Sequence, residues 1–494
     1  MIKSLLQKLA ITGMVASVTL LASANEEVQL PDIGDSSGQL VSPQEMRAYG
    51  INTLRQIRAS GFLLEDPQVQ EYLDSMAFRL VAHSDRPDLD YHFFVINEGS
   101  VNAFAAPGGY IGVHSGLILQ ATRESEVAAV LAHEIAHVSQ RHLARAFESA
   151  QKMSVPMALI MLGAIIASQV AGSGDAAQAA MIGGSGLMQQ AQINFTRSNE
   201  YEADRVGIDT LYEAGFYPPS MADFFATMGR LSRNYGEGPP EFLRTHPVST
   251  TRIAEAKGRA EGLQPRQVYE NPQFLFMRER IRVLTAEDHH RLLGFYNRSL
   301  EVDHSLDPDA ARYGLALTLT EVAQPERAID LLTDLTKRWP DRVAFSLALA
   351  KAHMEAEQTE QAMAIYRQLN EHRPLSVTIT WEYAEALMSF GDEQSAIEAE
   401  ALLRPVVERN SGQAMLVSTY AQAADRAGIS VRAGEAIAHV HLLNGRLHEA
   451  VQQLRLLARR PDLNYYQRER IDARLAEIEP YLPQNREDRR GRRG

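Results

Sequence analysis

The sequence predicts a mostly α chain: an α+β domain with a small β-sheet, followed by an α-solenoid of tetratricopeptide repeats. Three observations predict it. Glu124–Ala150 holds neither Gly nor Pro, so it can run as one long helix. Tyr91–Ile96 and Tyr110–Val113 are rich in aromatic and β-branched residues and read as strands. Beyond residue 308, small residues recur with a 34-residue period.

In chain order, Lys3 and Lys8 precede an apolar stretch, Leu9–Leu21, and an Ala22-Ser23-Ala24 cleavage signal. Residues 1–24 therefore read as a secretory signal peptide, too short in its apolar part for a span of about 20 residues. The mature chain is expected outside the cytoplasm, which in a bacterium means the periplasm. Residues 25–41 form an N-terminal extension. The first domain is expected over 42–265, opened by Ser42-Pro43 as a helix start. Within it, Asn102–Gly109 turns between the two strands.

Residues 153–191 interrupt this domain with a stretch rich in apolar residues, Gly and Ala. Candidate metal ligands lie on both sides of it, and a single membrane crossing would separate them. A hydrophobic loop or hairpin that covers a cleft or makes peripheral contact with a membrane surface is preferred over a span. A buried helical hairpin is the plainer alternative. Connecting helices are expected over 266–307 and the repeat array over 308–482. In the array Ala316, Ala350 and Ala384 are 34 apart, and Ala328, Ala362 and Ala396 follow each by 12. Around 402–428 the register is lost, and Ala438 with Ala450 restores the 12-residue step. Such arrays bind other proteins on a concave face. Residues 483–494 are a basic, solvated tail.

Composition narrows the chemistry. With 494 residues, 45% hydrophobic, the chain can bury a full core, which rules out wholesale disorder. No cysteine is present, so disulfides, thiolate metal sites, iron–sulfur clusters and cysteine nucleophiles are excluded. A formal charge of −13 argues against a nucleic-acid partner, because phosphate neutralisation needs clustered Lys and Arg.

The candidate site lies on the long helix. His133-Glu134-Ile135-Ala136-His137 matches H-E-x-x-H. Residues four apart share a helix face, so His133 and His137 can grip one ion while Glu134 takes a proton from water beside it. Zinc in a hydrolase takes three protein ligands and leaves one position open. Glu200-Tyr201-Glu202-Ala203-Asp204 offers the third: Glu200 and Asp204 share a face, one able to bind metal and the other to orient a ligand histidine. Glu202 points elsewhere and reads as solvated.

These motifs, with Asn102-Ala103-Phe104-Ala105-Ala106-Pro107-Gly108-Gly109 before them, resemble peptidase family forty-eight, the gluzincin group of HtpX and the CAAX prenyl proteases. The signal segment and repeat array together resemble its periplasmic, repeat-bearing branch. The resemblance implies a zincin-like metalloprotease domain with one zinc ion per chain. It makes His133, His137 and Glu200 the ligands, Glu134 the general base, and Asp204 a supporting acid, sometimes assigned as a proton donor. It also implies a substrate-binding edge strand at Asn102, Ala103, Phe104, Gly108 and Gly109. A functional histidine is implied at His246, in a loop over Gly236–Ser249, as a regulatory or fourth metal ligand. Arg252 is a weaker candidate for stabilising transition-state charge. His114 and His142 read as structural. The expected substrates are misfolded or stalled outer-membrane β-barrel proteins, and the expected partner of the array is the barrel-assembly machinery. The alternative is mainly a repeat-based chaperone or scaffold with gated or minor proteolysis.

Overall fold

The computed structural model describes residues 42–149, 186–234, 241–268 and 270–482. The expected signal peptide, the 25–41 extension, residues 153–185 of the apolar insertion and the basic tail lie outside the described residues. Among the described residues no helix is long and apolar enough to cross a membrane. The chain forms two compact units: the first runs to Ile281 apart from Glu65–Gln68, and the second comprises Glu65–Gln68 and the chain from Arg282.

The first unit opens with α1 (Pro43–Ala59). Ser42 caps it through a reciprocal box: its hydroxyl accepts from the Glu45 amide and the Glu45 carboxylate accepts from the Ser42 amide. Helix α2 (Pro67–Val81) follows, then strands β1 (His92–Ile96), β2 (Ala103–Ala106) and β3 (Tyr110–His114). The sheet order is β1-β3-β2, with β1 parallel and β2 antiparallel to β3. Covered on both faces, β1 and β3 are almost wholly buried, which is why they read as continuous apolar runs. Pro107-Gly108-Gly109 makes the β2–β3 turn with both glycines at positive φ. A Cβ on Gly109 would fall 1.9 Å from the Asp90 carbonyl oxygen, so only glycine fits.

Short helix α3 (Ser115–Gln120) leads to α4 (Glu124–Ser139), which is buried on nearly every side. The sequence suggested one helix over 124–150. The structure breaks it: Arg141 adopts a left-handed conformation (φ 56°), and a second helix, α5 (His142–Ser149), turns off from there. Next come α6 (Gly186–Glu213), α7 (Ser220–Asn234), α8 (Glu241–Thr245) and α9 (Thr250–Gly262). Helix α8 is a single helical turn inside the stretch expected to be loop. Helix α10 (Gln273–Leu284) begins in this unit rather than beyond it, because Arg278 Nη1 donates to the Ala121 carbonyl at 3.2 Å.

Gly207 sets the distance between α6 and α4. A Cβ there would lie 3.2 Å from the backbone of Ala132 and His133, so the missing side chain lets the helices close where the histidines sit.

In the second unit, after α11 (His289–Arg298), the array runs as ten helices: α12 (Pro308–Glu321), α13 (Pro325–Arg338), α14 (Val343–Glu355), α15 (Thr359–His372), α16 (Val377–Ser389), α17 (Glu393–Arg409), α18 (Ala414–Arg426), α19 (Ser430–Leu443), α20 (Leu447–Ala458) and α21 (Tyr465–Ile478). Left-handed residues recur in the tight turns at Ala323, Glu357, Gly391, Gly428 and Gly445. A buried small pair flanks each turn in the same register, and at Gly428 that pair is Ala421 and Ala433. The stretch around 402–428 therefore contains a regular unit. Its register is displaced because α17 has 17 residues where α13 and α15 have 14.

Gly207→Val should overpack the α4–α6 contact and cost about 1–3 kcal/mol, read as a lower midpoint in urea unfolding. Gly207→Ala, which needs only a few tenths of an ångström, should cost much less.

Candidate metal centre

Four segments deliver the site. Helix α4 carries His133, Glu134 and His137, and α6 carries Glu200 and Asp204. His246 follows α8. Its amide donates to the Phe242 carbonyl at 2.8 Å and its ring stacks on Phe242, with centroids 4.9 Å apart. Phe242 is fully buried, and its amide donates to the Val101 carbonyl. Arg252 enters from the first turn of α9, capped by the Ser249 hydroxyl.

One donor atom each from His133, His137, Glu200 and His246 lie within 4.8 Å of one another. His137 Nε2 is 3.0 Å from His133 Nε2, which is 3.2 Å from His246 Nδ1. His246 Nδ1 is 3.1 Å from both Glu200 oxygens. Three imidazoles and a carboxylate converge nitrogen and oxygen donor atoms on one point. A divalent transition-metal ion satisfies them together, so the donor set fits such an ion.

Charged side chains back this cluster. Arg252 binds Asp204 in a fork, Nε to Oδ2 at 2.7 Å and Nη2 to Oδ1 at 2.8 Å, and places Nη1 3.0 Å from Glu200. Asp204 Oδ1 lies 3.0 Å from His133 Nδ1. Burial opposes ionisation of Asp204, but Arg252 and His133 hold its carboxyl below the usual range. Burial likewise opposes ionisation of Glu200, yet His246 and the other two imidazoles hold it well below that range. For His133, burial disfavours the charged ring; Asp204 and Glu200 outweigh it and push the ring up to about 10. Burial pulls His137 down. Glu134 is 1% exposed, and its Oε1 makes no hydrogen bond, with His246 Nε2 3.4 Å away.

The structure thus brings together His133, Glu134, His137, Glu200, Asp204 and His246. Of the expected edge-strand residues, Ala103 and Phe104 lie on β2. Asn102 precedes it, and Gly108 and Gly109 lie in the turn after it, where backbone crowding demands glycine. Three assignments from sequence change. Arg252 is 2% exposed and holds two carboxylates. His142 touches His137, with the two Nδ1 atoms 2.9 Å apart. Glu202 meets His142 and Arg145 rather than standing free in solvent. Position was the only available signal: His142 follows the motif by five residues and Glu202 sits between Glu200 and Asp204.

A model of peptidase family M48 matches residues 65–260, and a tetratricopeptide-repeat model matches residues 319–376. The β-barrel assembly-enhancing protease of Yersinia pestis is 32% identical, with 97% of each chain covered. The chain belongs to peptidase family M48. As a member of that family it is a metalloendopeptidase. The β-barrel assembly-enhancing protease of Escherichia coli (strain K12) is also 32% identical, with 96% of each chain covered. The mitochondrial metalloendopeptidase OMA1 of Arabidopsis thaliana is 27% identical over 47% of this chain and 45% of its own.

Because His133 keeps its proton up to about 10 in the ion-free site, ion uptake near neutrality must expel it. About one proton should be released per ion, and apparent affinity should rise about tenfold per pH unit between pH 6 and 9. Calorimetry in buffers of different ionisation enthalpy measures the number.

Proposed function

We propose that this chain is a periplasmic zinc endopeptidase that degrades misfolded or stalled outer-membrane β-barrel proteins, and that its repeat array also promotes their assembly. The observation that carries the enzymatic part is the four-donor cluster with the Glu134 carboxylate beside it, its Oε1 free of hydrogen bonds. The substrate class rests on the similarity, over nearly the whole chain, to β-barrel assembly-enhancing proteases.

His133, His137 and Glu200 would hold one zinc ion. Bound there, zinc supplies Lewis acidity, lowering the pKa of water and polarising the scissile carbonyl. Glu134 takes the proton as water attacks and returns it to the leaving amine. Asp204 orients His133. With Arg252 forked onto it, Asp204 acts as a fixed carboxylate rather than a proton donor. An extended peptide adds to the outer side of β2, which pairs with β3 on its other side. Ala103 and Phe104 face opposite sides of the sheet and are both buried, so the main chain does the binding, with little dependence on substrate sequence.

His246 favours a second, compatible reading: an array-based assembly factor with gated proteolysis. Its Nδ1 completes the cluster while its Nε2 faces Glu134. The ring therefore stands where the attacking water must sit, and proteolysis begins when it leaves.

Glu134→Gln should retain zinc yet abolish casein cleavage; a variant that still cleaves would remove the mechanism. In a strain lacking the protein, full loss of complementation by Glu134→Gln supports the protease alone, and partial rescue supports the assembly role.

His246→Ala should cleave casein faster than the parent chain while keeping its ion. An unchanged rate, together with a zinc-bound crystal structure showing His246 remote from the ion, would end the gating idea.

A further inference from the structure

One buried group beside the donor cluster is not used by the mechanism. His142 is the first residue of α5, and its side chain is 4% exposed. The left-handed Arg141 turns the chain so that His142 comes back beside His137. Their rings meet edge to face, centroids 4.8 Å apart, with Nδ1 facing Nδ1 at 2.9 Å. On its far side, His142 Nε2 lies 3.2 Å from Glu202 Oε2, which also accepts from Arg145 Nη1 at 2.8 Å.

Hydrogen placement along this chain has one consistent solution. His137 presents Nε2 to the metal cluster, so its hydrogen sits on Nδ1. That hydrogen can be donated only if His142 Nδ1 accepts. His142 then carries its own hydrogen on Nε2, facing the Glu202 carboxylate. Arg145 in turn holds Glu202. Every donor meets an acceptor, and reversing any link puts two hydrogens or two lone pairs face to face.

We propose that His142, backed by Glu202 and Arg145, is a positioning residue that fixes the tautomer and tilt of the metal ligand His137. The two ligand histidines are then braced differently. His133 leans directly on the Asp204 carboxylate, whereas His137 reaches its carboxylate through an intervening imidazole. The inference rests on the metal-site reading above.

The test titrates the full chain with Co2+ and with Zn2+ under chelator competition, and records the visible spectrum of the cobalt form. His142→Phe keeps the ring but offers no acceptor; it should weaken ion retention about 10- to 100-fold and shift the cobalt bands. His142→Asn places an amide oxygen near the lost Nδ1 and should recover most of the affinity. Equal loss in both variants, or wild-type affinity with unchanged bands in His142→Phe, overturns the proposal. Should His142→Phe fail to fold, Glu202→Ala at its half-exposed position decides: weaker retention supports the relay, and wild-type retention overturns it. A parent chain that takes up no ion ends the metal-site reading and this one together. A parent chain that binds, with indifferent variants, ends this one alone.

Discussion

The first unit is organised around burying ionised groups beside one another without leaving any uncompensated. Glu200 and Asp204 lie one helical turn apart on the same face of α6 and are both nearly inaccessible to water. Alone, two such carboxylates would repel and one would take up a proton. Arg252 binds both. Formal charge then balances: Glu134, Glu200 and Asp204 against the guanidinium and one divalent ion. Without the ion, a proton held on His133 supplies part of the missing positive charge. The raised affinity of His133 for a proton and the affinity of the site for a metal are thus two readings of the same local field.

How much of this was legible in the sequence depended on whether a contact was local. His133 with His137, and Glu200 with Asp204, are pairs four residues apart on helices, and helix geometry alone puts each pair on one face. That Arg252 closes the network was not legible, because it arrives from a separate helix 48 residues beyond Asp204. His142 was hidden by a wrong local expectation. Nothing in Ser139-Gln140-Arg141 forbids helix, so the left-handed turn at Arg141 had no signature, and a continuous helix would have carried His142 away from His137. Gly207 likewise looks like an ordinary weak point in a helix until the close passage of α4 is seen.

The array shows the same division. Its small-residue pairs follow from two helices of a unit meeting closely, and they were readable wherever unit length stayed constant. Helix α17 breaks that condition. It runs three residues longer, past the internal Pro405, and the pair at Ala421 and Ala433 falls out of step with the 34-residue period. A fixed period is a property of repeated length, whereas the buried contact is a property of packing, and an insertion in a helix abolishes the first without touching the second.

The position of His246 ties the two ends of the proposed reaction together. The ring is held by stacking on Phe242, and α8 is anchored to the loop before β2 twice. The Phe242 amide donates to the Val101 carbonyl, and the Ser100 hydroxyl donates to Glu241 Oε2 at 3.0 Å. Val101 is two residues from the start of the strand on which a peptide would add. On the gating reading, two movements free the site: rotation of the imidazole off Phe242, or displacement of α8. Rotation is opposed by the buried ring stack and by the Glu200 and Glu134 carboxylates on either side. Displacement strains both anchors and therefore the loop leading into β2. A substrate that reshapes that loop as it pairs with the strand acts on the same anchors from the other end, so binding energy gained along β2 is available to move His246 away from Glu134.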